Sequence, residues 1–143
     1  MTSRTFALLF GIVFLLVGIG GFIPGLVTMP HPEHPHLIVT QNYGQLFGLF
    51  PINIVHNMVH IVFGIWGLVS CRSAGTARLY ARGVAIIYGA LTIAGFVPGL
   101  ETMFGFIPLF QNDIWLHGLL ALIAAFFGWV HRDPAAPSIG GAV

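Results

Sequence analysis

Residues 50–70 read FPINIVHNMVHIVFGIWGLVS, and this stretch decides how the rest of the chain is interpreted. It holds no Asp, Glu, Lys or Arg over the ~20 residues that a helix needs to cross a hydrocarbon layer about 30 Å thick. Within it, Asn53, His56 or Asn57, His60, Gly64 and Gly67 follow one another at spacings of three or four, so they share one face of a helix. A polar stripe on an apolar span turns toward a protein interior, because hydrocarbon cannot satisfy its hydrogen bonds.

Composition extends this reading to the whole chain. Of 143 residues, 57% are hydrophobic and 6% charged, and mean hydropathy is +0.93. A water-soluble globule carries roughly 25% charged residues. Five Arg, no Lys and four acidic residues leave a net charge of +1, too little field for nucleic acid. Three further apolar stretches are expected to span: Phe6 to about Leu26, about Tyr80 to Val97, and Phe110 or Ile114 to Val130. The first exceeds the 7–15-residue apolar core of a signal peptide and has no A-x-A pattern after it, so it is expected to be retained. Single Cys71 supplies neither a disulfide nor a thiolate zinc site.

The chain repeats itself. Gly21-Phe-Ile-Pro-Gly-Leu-Val-Thr-Met29 recurs as Gly95-Phe-Val-Pro-Gly-Leu-Glu-Thr-Met103, identical at seven of nine positions. Downstream, Gly48-Leu-Phe-Pro51 matches Gly105-Phe-Ile-Pro108; nine residues beyond each proline stand His60 and His117, and the same register sets His56 opposite Asp113. The offsets of 74 and 57 leave 17 extra residues in the first half, expected as a loop around His31-Pro-Glu-His-Pro-His36 and Gln41-Asn-Tyr-Gly44. Expected is an all-α integral membrane four-helix bundle, residues 1–131. It is made of two pseudo-twofold-related hairpins over about 6–70 and 80–130, followed by a short flexible cytoplasmic tail at 132–143. Pro51 and Pro108 are expected in the first turns of spans two and four, and Pro24-Gly25 and Pro98-Gly99 at the ends of spans one and three. Gly11, Gly18, Gly64, Gly67, Gly89, Ala121, Ala124 and Gly128 are expected to admit close helix approach.

Arg4, Arg72, Arg78, Arg82 and Arg132 fall on one side of this topology, which makes that side cytoplasmic by the positive-inside rule. A multi-pass protein of the cell's inner (plasma) membrane with both termini inside is the expectation. Its partners are the lipid bilayer and, through its apolar surface, other membrane proteins or further copies of itself.

Span four repeats the polar stripe as Asp113, His117, Ala121, Ala124 and Gly128. Two residues at i and i+4 on one helix can share a metal ion. His56 and His60 with Asp113 and His117 offer three imidazoles and a carboxylate, a donor set for zinc that also suits copper or iron. Asn53, Asn57 and Asn112 are expected to orient the imidazoles. A haem between His60 and His117 is a less favoured cofactor, for want of space. Alternatively the same groups are hydrogen-bonding glue, each worth roughly 0.6–2 kcal/mol, in a non-catalytic membrane subunit or scaffold. His31, Glu33, His34 and His36 form a second, weaker candidate for metal at the outer surface. No nucleophile–base pair, phosphate loop or nucleotide motif appears, so an enzyme is the least supported class.

The blocks GLFPINIVHNMVH at 48–60 and N-D-x-x-L-H at 112–117 resemble a bacterial membrane family known as domain of unknown function 4383. The resemblance covers roughly residues 5–131 and implies a small four-span membrane protein. Its matching positions are Asn53, His56, Asn57, His60, Asp113 and His117, and it implies no activity.

Overall fold

A computed structural model describes residues 1–134 of the chain. Helix α1 (Ser3–Gly20) leads through a single 3₁₀ turn (Pro24–Leu26) to three short strands, β1 (Val27–Thr28), β2 (Gly44–Leu46) and β3 (Phe50–Ile52). Helices α2 (Ile54–Ser70), α3 (Ala74–Phe96) and α4 (Asn112–Ala125) follow, and α4 continues as one wider π turn over Phe126–Val130.

Local chemistry explains the helix starts. Thr2, Asn53 and Ser73 each stand in extended conformation and accept a backbone N–H of the first turn, from Thr5, His56 and Thr76 respectively. Helix α4 lacks such a side-chain cap; it starts after Gln111, whose φ of 58° and ψ of −129° bend the chain sharply into the helix.

Three helices are long and apolar enough to cross a membrane: α1, α3, and α4 with its π turn. Helix α2 is equally apolar but has 17 residues. Outward-facing Leu8, Ile12, Leu16, Val62, Ile65, Ile86, Ile93, Leu119 and Leu122 are all exposed. An exposed apolar surface on every helix belongs in lipid rather than water. Inside, Phe6, Phe14, Phe63, Tyr80, Val84, Tyr88, Ala124 and Phe127 form one continuous core. α1 packs chiefly on α2, α3 on α4, and α1 on α3.

One end of the bundle gathers the helix ends near the arginines. Arg4 Nε donates to the Cys71 carbonyl at 2.9 Å, the Ser3 N–H donates to Asp133 Oδ1 at 2.6 Å, and Arg78 lies 3.6 Å from Asp133 Oδ2. Of the tail expected over 132–143, residues 132–134 are described, with Asp133 tied into this end; the remainder lies outside the described residues.

Several expectations are corrected. The inserted loop is not entirely irregular: β1, β2 and β3 form an antiparallel sheet with Val27 opposite Leu46 and Gln45 opposite Pro51. The fold is therefore mostly helical rather than purely so. Pro51 lies in β3, ahead of the Asn53 cap, and Pro108 precedes α4 by four residues, so neither occupies a first turn. α3 starts at Ala74, six residues before Tyr80, because Ser73 supplies a cap that periodicity alone does not reveal. Pro98 does follow the end of α3, and Pro24 the end of α1. Gly89 has nothing within 4 Å of where a Cβ would stand, so it is no packing contact.

Candidate functional site

The site is built where α2 and α4 start, beneath the strands and the loops that join α1 to α2 and α3 to α4. Asn53 organises its roof. Besides capping α2 through Oδ1, its Nδ2 donates to the Phe106 carbonyl at 2.7 Å and the Val39 carbonyl at 3.1 Å. One fully buried amide thus ties both connections to the first turn of α2.

One turn further in, His56 and His60 stack with ring centroids 4.8 Å apart and their Nε2 atoms at 2.9 Å. From α4, Asp113 Oδ2 lies 3.6 Å from His117 Nε2 and 3.9 Å from His56 Nε2. Ring nitrogens of His56, His60 and His117 all lie within 4.8 Å of one another. All four residues are at most 5% exposed. The Nδ1 atoms of His60 and His117 and the Oδ2 of Asp113 are buried without a hydrogen-bond partner, and a buried polar group without a partner is costly.

The three asparagines do not hydrogen-bond the imidazoles. Asn53 is committed to its cap and two carbonyls. Buried Asn57 sets its amide against Gly21, where any Cβ would collide with it, and Asn112 donates to the Leu49 carbonyl at 3.2 Å on an exposed surface. Packing supplies instead what sequence reasoning missed: Tyr88 of α3 meets His117 edge-on at 4.8 Å, and Phe14 of α1 lies 5.5 Å from His60. The four-residue spacing of Tyr80, Val84 and Tyr88 was the available signal for an inward face on α3.

The loop histidines do not assemble a comparable group; among the described residues, His56, His60 and His117 form the one cluster of three close metal-type ligands. His34 instead joins a hydrogen-bond chain. Its Nδ1 accepts the His31 N–H at 3.2 Å, and its Nε2 lies 2.9 Å from Gln111 Nε2, while Gln111 pairs with Gln45. Burial and the nearby His31 lower the His34 pKa, against an upward pull from Glu33.

Beside the cluster, a cavity of 110 Å³ lies between α1 and α4. Val13, Phe14, Val17, Leu116 and Leu120 wall it from the two helices, Leu46, Phe47, Phe50 and Ile52 line it from the β2–β3 hairpin, and His56, His60 and Asp113 form its polar end.

A family model described as Domain of unknown function (DUF4383) matches residues 4–130. No curated protein and no solved structure matches the chain.

Proposed function

We propose, from the premise that the chain belongs to the family described as Domain of unknown function (DUF4383), that it is a four-span membrane protein holding one transition-metal ion between α2 and α4. His56, His60 and His117 supply ring nitrogens, and the Asp113 carboxylate is the fourth donor. The carrying observation is the donor spacing. Tetrahedral coordination with bonds of 2.0–2.1 Å puts neighbouring donors about 3.3 Å apart. The contacts of 2.9, 3.6 and 3.9 Å among His56, His60, His117 and Asp113 bracket that value. Three imidazoles with a carboxylate suit zinc, and copper or iron also accept them. A haem has no support, because Tyr88 and Phe14 pack against the rings and the adjoining cavity of 110 Å³ has no room for a macrocycle.

Helix α2 is the fourth span in this reading: its exposed Met58, Val62, Ile65 and Val69 are apolar, and it lies along α1. The arginine-bearing end is cytoplasmic, so the cluster sits in the outer half of the bilayer. The sequence repeat supports a pseudo-twofold pairing of the α1–α2 and α3–α4 hairpins.

One observation favours the second reading, a scaffold without metal: His56 and His60 already hydrogen-bond each other at 2.9 Å. Metal analysis of detergent-purified protein separates the two. The metal reading expects one ion per chain, lost in His60→Ala and His117→Ala. Equal metal content in wild type and the double variant overturns it.

A further inference from the structure

We infer that the cavity between α1 and α4 is a binding site for the head group of a lipid-soluble phenol or quinol, entered sideways from the bilayer. The inference rests on the membrane-spanning part of the reading above, and does not require a metal.

The cavity's position argues for entry from lipid. Val17 and Phe14 stand three and six residues in from the outer end of α1, and Leu116 and Leu120 four and eight residues in from the start of α4. At 1.5 Å per residue these depths are roughly 5–12 Å, within the hydrocarbon layer. Of the residues lining it, Val13 and Phe47 are exposed, and both are apolar.

Size and polarity select the occupant. A dry cavity of about 150 Å³ holds one benzene ring; at 110 Å³, with exposed Val13 and Phe47 in its lining, this one takes a single ring whose alkyl substituent passes beside them into lipid. The inner end is not apolar. Asp113 is 2% exposed, lines the cavity, and its Oδ2 has no hydrogen-bond partner. Imidazoles of His56 and His60 flank the same end. A ring hydroxyl can donate to Asp113 Oδ2 while accepting from an imidazole N–H. A hydrocarbon leaves the carboxyl unpaired, whereas a ring hydroxyl, donor and acceptor at once, can pair with it. Pairing a buried acceptor in an apolar pocket is the kind of contact that separates a hydroxylated ring from its plain analogue.

The test uses radiolabelled 4-propylphenol and the full chain in phosphatidylcholine nanodiscs, with empty nanodiscs subtracted, both as purified and after chelation. Saturable binding near one per chain is expected after chelation, when no ion can occupy Asp113 Oδ2, with propylbenzene bound at least tenfold more weakly. Leu120→Trp, which fills the cavity, should also lower affinity at least tenfold if it melts as the wild type does. The propylbenzene comparison needs no variant and stands if that one does not fold. Absence of saturable binding after chelation, or equal affinity for the two probes, overturns the inference. Metal content is measured on the same samples, so a protein that carries metal as purified and binds no phenol after chelation refutes this inference alone. One with phenol binding and no metal refutes only the metal site.

Discussion

A Cβ placed on Gly64 would stand 2.9 Å from the carbonyl oxygen of Gly11, and one on Gly11 would stand 2.9 Å from that of Gly64. Helices α1 and α2 therefore touch backbone to backbone, the packing that small residues permit in a membrane bundle. Close approach here brings Phe14 of α1 onto His60.

Gly64→Leu should lower stability by about 1–3 kcal/mol, the range for overpacking a well-packed core. Thermal melting in detergent reads it. Gly89→Leu is the matched control, since open space surrounds Gly89, and its melting should stay at the wild-type temperature.

Asn53→Ala removes the α2 cap and leaves the Phe106 and Val39 carbonyls without their donor. Cap loss costs about 1 kcal/mol and an abandoned buried carbonyl about 1–3 kcal/mol more. Hydrogen exchange should show the 36–53 and 101–111 connections losing protection together; loss confined to α2 would show that the amide does not couple them.

The outer loop should loosen on acidification. The folded pKa of His34 is lowered, by burial first and then by His31, so the folded loop prefers the neutral ring. That preference is fully present above the ordinary histidine value of 6.5 and is lost as pH falls through the lower folded value. Protonating Nδ1 also removes the acceptor of the His31 N–H. Amide protection over residues 31–36, corrected for the intrinsic pH dependence of exchange, should fall between pH 7 and pH 5, and His34→Gln should flatten that fall. An unchanged profile in the variant would assign the titration elsewhere.

Orientation is read by labelling single cysteines in a Cys71→Ser background with an impermeant thiol reagent. His34→Cys should label in intact cells. Gly75→Cys, exposed in the first turn of α3, should label only after permeabilisation. The opposite pattern inverts the topology.

Much of this architecture was legible in advance because membrane insertion is governed by composition and length over a long window. Gly21-Phe-Ile-Pro-Gly25 and Gly95-Phe-Val-Pro-Gly99 marked helix ends, since proline withholds the N–H that a continuing helix needs. The convergence of His56, His60 and His117 was legible too: three- and four-residue spacing fixes a face, and polar faces seek one another away from lipid. Asn53 was misread for a physical reason. An asparagine one turn before a histidine has the same spacing whether it orients an imidazole or caps the helix that carries it.

What the amino-acid order determined by itself was the membrane class, the helix faces and the four ionisable residues turned inward, all consequences of local periodicity and transfer energy. Only the tertiary structure decided that Pro51 joins a strand with Gln45 opposite it, that Asn53 ties two loops to α2, and that Tyr88 and Phe14 press on the imidazoles. It also decided that a cavity opens between α1 and α4, at the edge of the cluster. These are contacts between residues far apart in the chain. They depend on how closely α1 meets α2 across Gly11 and Gly64, a distance set by packing between helices, which no periodicity within one helix encodes.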